Sequence, residues 1–290
     1  MVIALGDNQY GKAETHVVRV DRSAERHRIT DLNVTTTLAG DLARTHLTGD
    51  NTDVLPTDSQ KNTVFAFARD GIGEIEDFAV RLARHFVAET PAIDRARVHV
   101  EQYTWQRMSV HGDPAPHSFV RGSGTRTATV THDGERTTVV SGVTDLVVLN
   151  STGSEFWGYH KDRYTTLPES RDRVLATAVD GRWRHTGTDT VAWADSHAEV
   201  VRHLLAAFAT THSRSLQQTL YAMGERVLRH RAEVAEIRLS LPNRHHVLVD
   251  LAPFGRDNPG EVFHTTDRPY GLIEGTVLRE PAPPAGLAWW

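Results

Sequence analysis

The sequence predicts an α+β protein made of two similar halves, each an antiparallel sheet with a helix pair on one face. Three observations predict it. Segments rich in β-branched residues open and close each half. Two amphipathic helical segments interrupt the strands in each half. The order strand, strand, helix, helix, strand, strand therefore occurs twice, although no residue-level repeat accompanies it.

In the first half, "ETHVVRVDR" alternates in polarity and "HRITDLNVTTTLAG" is dense in β-branched side chains, so both read as strands. "TDSQKNTVFAFARD" has Thr57 followed three places on by Gln60, a capping-box signature that predicts a helix start at Thr57. In "GEIEDFAVRLARHFVAET", Ile75, Phe78, Ala79, Leu82, Ala83 and Phe86 share one helical face. Strands return in "RARVHVEQYTWQRMSV" and "HSFVRG". The polar, glycine-rich "RGSGT" (Arg121 to Thr125) marks the expected boundary, giving units 1–123 and 124–280.

The second half opens with the strands "TRTATVTHD" and "TTVVSGVTDLVVL". A long irregular stretch follows, in which "YTTLPESRDRVLAT" is expected to hold a short helix. "SHAEVVRHLLAAFATTH" carries a second capping-box pattern, Ser196 with Glu199. "SLQQTLYAMGERVLRH" sets Leu216, Leu220, Met223 and Val227 at helical spacing. The two closing strands are "EIRLSLP" with "HHVLVDL", and "GLIEGTVLRE". The Pro-rich tail, residues 281–290, is expected to be mobile. Edge strands of two such units need partners, from side-by-side sheets or from other copies of the chain.

Composition narrows the function. The chain has 290 residues, 24% charged and 39% hydrophobic, with a net charge of −5. This is a globular protein with no basic block for nucleic acid. No window approaches the roughly 20 apolar residues of a membrane-spanning helix, and no signal peptide is visible, so a cytoplasmic protein is expected. The absence of cysteine removes thiol nucleophiles and Cys-based zinc sites. Seventeen histidines keep metal binding open. However, His245 and His246 are adjacent and on a strand would point to opposite faces. HExxH, EF-hand, GxGxxG and P-loop patterns are all missing.

Four polar stretches do not look like packing: "NQYGKAE", "VLPTDSQKNT", "STGSEFWGYHKDRYTTLPESRDR" and "SLPNRHHVLVDL". Taken singly, their residues have ordinary roles. Lys12 would be solvated, Thr57 a helix cap, Arg173 a surface ion-pair partner and Phe156 a packing residue. Gln217 would be an exposed helix residue, Asn243 a turn former and His245 a satisfied loop histidine.

Taken together, in order, these stretches resemble the urate oxidase (uricase) family. "YGKAE", "TDSQKNTVFAFARD", "STGSEFWGY", "KDRYTTL", "DRVLAT", "AFATTHS", "SLQQTLYAMGE", "SLPNRHHVLVDL" and "NPGEVF" all carry the likeness, which covers the chain except the tail. It implies the tunnelling fold (T-fold), two units per chain, and a homotetramer enclosing a tunnel with active sites at subunit interfaces. It implies oxidation of urate by dioxygen and water to 5-hydroxyisourate and hydrogen peroxide, with no metal and no organic cofactor. The missing peroxisomal ending suits the bacterial members and a cytoplasmic location.

The resemblance also implies roles. Lys12, Thr57 and His245 would form a proton relay, Lys12 and Thr57 as a hydrogen-bonded pair and His245 acting through Lys12 and nearby waters. The backbone N–H of Asp58, at a helix start, would bond the substrate. Arg173 and Gln217 would grip one edge of the planar purine, with the backbone N–H of Leu216 beside them, although the family often has valine there. Phe156 would stack on the ring, and Asn243 would stand on its oxygen side. Lys12 and Thr57 would come from one subunit and the clamp from its neighbour. On an extended segment, Asn243 and His245 would face the site, while Arg244 and His246, both departures from the common pattern, would face away.

Two rivals compete. Pterin and cyclohydrolase relatives of the same fold typically use an acidic anchor, and several use zinc, which the missing cysteines and the Arg173–Gln217 pair disfavour. A non-catalytic purine binder is disfavoured by the joint presence of Lys12, Thr57 and His245.

Overall fold

The computed structural model describes residues 1–189, 191–266 and 268–290. The chain divides into two compact units. The first comprises Met1–Gly142, Arg184–Asp195 and Pro283–Trp290, and the second Val143–Trp183 and Ser196–Ala282.

In the first unit, β1 (Tyr10–Asp21), β2 (Arg28–Gly40), β3 (Ile93–Val110) and β4 (Asp113–His132) form successive antiparallel ladders. β5 (Thr137–Asn150) neighbours β4, and its residues up to Gly142 belong to this unit. The stretch Arg121–Thr125 lies inside β4 and is no linker. It is paired with β3 and irregular in register, so its glycines bend a strand.

Between β2 and β3 come a six-residue helix, α1 (Ala43–Thr48), then α2 (Thr57–Asp70) and α3 (Ile75–Glu89). The stripe read from the sequence is the buried face of α3: Ile75, Phe78, Ala79, Leu82, Ala83 and Phe86 are all sealed. They join Leu32, Val34 and Leu38 of β2 and Val98 and Val100 of β3 in one core. Burying a phenylalanine such as Phe78 contributes about 1.5–3 kcal/mol, so this stripe suffices to dock the helix.

In the second unit, sheet neighbours run β5, β6 (Leu175–His185), β7 (Val234–Pro242) and β10 (Leu272–Leu278). α4 (Trp193–Thr210) and α5 (Leu216–His230) supply its helices. Leu216, Leu220, Met223 and Val227 are buried as the spacing predicts, against Ile237, Leu239 and Leu241 of β7. Gly224 permits this approach, because a Cβ there would lie 2.6 Å from a methyl of Val277 on β10. β8 (His245–Leu248) and β9 (Phe263–Thr266) form a separate two-stranded ladder.

Other expectations need correction. α4 begins at Trp193, ahead of Ser196, whose hydroxyl donates to Glu233 from within the helix. The pattern Ser196–Glu199 is therefore no capping box. No helix forms over Tyr164–Thr177, which is irregular until β6 begins. The C-terminal residues pack on the first unit. Ala288 is buried, the Trp290 ring lies 4.1 Å from the Arg95 guanidinium and 5.5 Å from that of Arg97, and Arg184 donates to the Pro283 carbonyl at 3.0 Å.

Candidate active site

The expected site residues fall into two groups. Lys12, Thr57 and Asp58 belong to the first unit, and Phe156, Arg173, Leu216, Gln217, Asn243 and His245 to the second.

In the first unit, Lys12 pairs directly with Thr36 across β1 and β2. Directly opposed residues share a sheet face, and Thr36 shares its face with Val34 and Leu38, which lie in the core with α2 and α3. Lys12 thus projects on the helix side of the sheet. A register shift between Lys12 and Thr15, with Glu14 at φ 55°, bends β1 here, as bulges beside functional side chains do. Tyr10, on the same face, donates its hydroxyl to the Leu55 carbonyl at 3.0 Å. That bond holds β1 against the segment that leads into α2.

Thr57 is not the helix cap. Pro56 takes that position and has no side chain that can cap, so Thr57 is the first helical residue. Gln60 makes no reciprocal capping bond; its side chain is engaged elsewhere. The Thr57 hydroxyl is therefore not spent on the helix start, and the first N–H groups of α2, including that of Asp58, have no intrahelical acceptor. Such a terminus favours an anion. The Asp58 carboxyl sits below the usual range, chiefly through the hydrogen bond and charge of Lys61, with lesser help from Asn62 and the charge of Lys12.

In the second unit, the irregular stretch is pinned rather than loose. Phe156 and Ser170 exchange backbone hydrogen bonds at 2.8 and 2.9 Å. Arg173 N–H donates to the Ser154 carbonyl at 2.8 Å, and its Nε donates to Ser154 Oγ at 3.3 Å. Among the described residues, the guanidinium's two terminal nitrogens make no hydrogen bond. Its carbon lies 5.3 Å from the Phe156 ring centre. Burial pulls Arg173 below the ordinary arginine value, although a guanidinium keeps its charge in any protein setting. Tyr159 stacks on Phe156 with ring centres 4.8 Å apart and planes at 17°.

The same stretch is bonded to the lead-in of α5. Ser213 N–H donates to the Gly153 carbonyl, and Glu155 N–H donates to the Ser213 carbonyl. Ser215 caps α5 by accepting from the Gln218 N–H, while Gln218 Oε1 accepts from Arg214 N–H. Leu216 is buried and Gln217 exposed in the first turn, so their N–H groups have no intrahelical acceptor. Leu216, Gln217, Phe156 and Arg173 thus hang on one hydrogen-bonded frame. The spacing of Ser215 and Gln218 is a capping signal that the sequence carries but the apolar stripe of α5 overshadows; Ser154, Tyr159 and Ser213 lie within the quoted stretches, yet no spacing in the sequence assigns them these contacts.

Asn243 donates its N–H to the Gly271 carbonyl and bridges to Thr177 of β6. It lines an open cavity of about 720 Å³ with Arg244, His246, Arg268 and Tyr270 over a floor that includes Ala176 and Ala178. The alternation expected across Asn243–His246 fails. β7 ends at Pro242 and β8 starts at His245, so no single strand spans the four residues. Arg244 and His246 line this cavity together with Asn243, whereas His245, half-buried and paired with Thr266, is not among its lining residues. Among the described residues, no three His, Asp or Glu side chains gather as a metal site.

Comparison with known proteins matches this arrangement to one family. A family model described as Uricase matches residues 8–131 and 139–274. A uricase of Arthrobacter globiformis is 50% identical over 96% of this chain and 91% of its own length. A uricase of Dictyostelium discoideum is 35% identical over 94% of this chain and 96% of its own. The crystal structure of the Arthrobacter globiformis uricase superposes with a TM-score of 0.94, covering 100% of this chain and 99% of that one. The sheet-and-helix-pair units described above are the T-fold of these relatives. On its residues, its fold and these matches, the chain belongs to the uricase family.

Proposed function

We propose that the protein oxidises urate with dioxygen and water to 5-hydroxyisourate and hydrogen peroxide, without metal or organic cofactor. The equation balances: urate gives up two electrons, dioxygen takes them with two protons to become peroxide, and the oxygen of water remains on the purine. Urate is itself the reductant, so the protein need only remove a proton, fix the ring and shield it. Lys12 and Thr57 pass the proton, with His245 as the third member of the relay. An amine beside a hydroxyl suits this task because each can donate and accept in turn.

Arg173 and Gln217 grip one edge of the purine anion, helped by the Leu216 N–H. The fork of Arg173 gives two parallel charge-assisted bonds to a planar anion. Phe156 stacks on the ring, the Asp58 N–H bonds it at the uncapped start of α2, and Asn243 holds the oxygen-side ligand. The reading takes the two residue groups from different subunits of a cytoplasmic homotetramer, with the relay of one chain completed by the clamp of another. One observation carries the proposal: Thr57 stands at an uncapped helix start, its hydroxyl without a hydrogen bond among the described residues, and Lys12 projects on the helix side of the same sheet.

The test follows urate absorbance and peroxide together, using chelator-treated protein with no added metal. Matched urate loss and peroxide gain are expected. No turnover by protein confirmed to be tetrameric would sink the enzymatic reading and leave a purine binder. Turnover only on adding metal would remove the cofactor-free chemistry.

A further inference from the structure

Gln60 and Thr36 lie beneath the reactive residues of the first unit, and both are buried: Gln60 is 0% exposed and Thr36 2%. Their hydroxyl and amide are joined, with Thr36 Oγ1 donating to Gln60 Oε1 at 2.7 Å. The same hydroxyl oxygen accepts the backbone N–H of Lys12 at 3.4 Å. At its other end, Gln60 Nε2 donates to the Leu55 carbonyl at 3.4 Å, the carbonyl that also accepts from Tyr10. Leu55 is followed by Pro56 and Thr57. A continuous chain of polar contacts therefore runs from the backbone of Lys12, through Thr36 and Gln60, to the turn that presents Thr57.

Three further features make the chain specific. β1 is irregular just after Lys12, so ordinary ladder geometry does not by itself fix where the lysine stands. Gly11 lets β1 lie unusually close to β2, since a Cβ there would sit 1.8 Å from the Thr36 carbonyl oxygen. A buried glutamine on a helix that packs an apolar core is also costly unless its amide is bonded. Val64 and Ala68 show that this helix face otherwise carries apolar side chains.

We propose that Thr36 and Gln60 are positioning residues that set the spacing between Lys12 and Thr57. This rests on the reading of Lys12 and Thr57 as the proton-passing pair. Neither Thr36 nor Gln60 meets substrate. They act by holding the amine and the hydroxyl in register, where a displacement near 1 Å can cost on the order of a hundredfold in rate.

The test compares Thr36→Val, Thr36→Ser, Gln60→Met and Lys12→Met in the tetrameric protein, reading kcat, KM and melting temperature. Thr36→Val keeps the shape and removes the hydroxyl, and Gln60→Met keeps the length and removes the amide. Both are expected to lower kcat roughly ten- to a hundredfold with KM nearly unchanged, and Thr36→Ser to restore it. Gln60→Met decides the matter if Thr36→Val does not fold. Normal kcat in Thr36→Val or Gln60→Met beside an inactive Lys12→Met would overturn the positioning role and leave the relay standing. A drop that Thr36→Ser does not rescue, or one that only tracks melting temperature, would reduce both residues to packing and overturn it too. Full turnover in Lys12→Met would instead remove the relay on which the proposal rests.

Discussion

Arg126→Met should destabilise the first unit far more than Glu76→Leu, although each substitution removes one member of the same buried ion pair. Glu76 is 0% exposed; its Oε2 lies 2.6 Å from Arg126, and its Oε1 accepts from Ser141 at 2.7 Å. Its partners are better provided for. Arg126 also pairs with Glu74 at 2.8 Å, and Ser141 also bonds His185 at 3.0 Å. Removing Glu76 thus strands nothing, and Leu refills the space, so the cost should stay within about 2 kcal/mol. Removing Arg126 leaves a buried carboxylate facing only one hydroxyl and its own backbone N–H, with no cation, which costs about 3–5 kcal/mol. At ~2–4 °C per kcal/mol for a chain of this size, the melting temperature should drop by roughly 6–20 °C.

A pH signature accompanies it. Burial raises the Glu76 carboxyl, and Arg126 is the main group opposing that rise. Without Arg126 the folded-state value climbs further above the unfolded one. The penalty is then complete above the folded-state value and shrinks as pH falls through it. Calorimetry of both variants across the acidic range reads both effects. A Glu76→Leu protein as unstable as Arg126→Met, or an Arg126→Met deficit that grows on acidification, would refute the reasoning.

Three more outcomes are expected. Arg173→Lys loses the planar fork and should raise KM for urate about tenfold, measured by steady-state absorbance; an unchanged KM would take Arg173 out of the clamp. His203 is 4% exposed, stacks on His230 at 4.4 Å, and is held below the usual histidine value by burial and then by Arg202 and its other cationic neighbours. A depressed folded-state value gives stability that is full above about pH 6.5 and is lost on acidification. His203→Phe should therefore melt with less dependence on pH than the parent, and equal slopes would count against it. Trp290→Ala removes two cation–π contacts of ~0.5–1 kcal/mol each and should lower the melting temperature by a few degrees; no change by scanning fluorimetry would mean the docked tail is inert.

The core is legible in the sequence because periodicity reports burial directly. The stripes on α3 and α5 can be named residue by residue, since 3.6-residue spacing puts Phe78, Phe86 and Met223 on the one face each helix can bury. Caps are less legible. Thr57 with Gln60 and Ser196 with Glu199 match a motif of two residue types, yet Pro56 holds the cap position of α2 and α4 begins upstream at Trp193. Motif spacing cannot see which hydroxyl tertiary structure has already claimed. The residues proposed for the site are reached through family resemblance, because Lys12 or Arg173 alone reads as surface. Thr36 and Gln60 are invisible for another reason: their meaning lies in a bond between positions 24 residues apart that only the packing of α2 on β2 creates.

The proline at the start of α2 has a consequence for anyone who breeds this protein for heat resistance. A serine or aspartate at position 56 would satisfy an orphan N–H, and such a change commonly adds ~0.5–2 kcal/mol. A screen that scores survival of the empty protein will favour it. The same change would plug the helix start with the protein's own side chain and compete with any anion for those N–H groups. Hardiness and binding are thus set against each other at one position, and a useful screen must score survival with the ligand present.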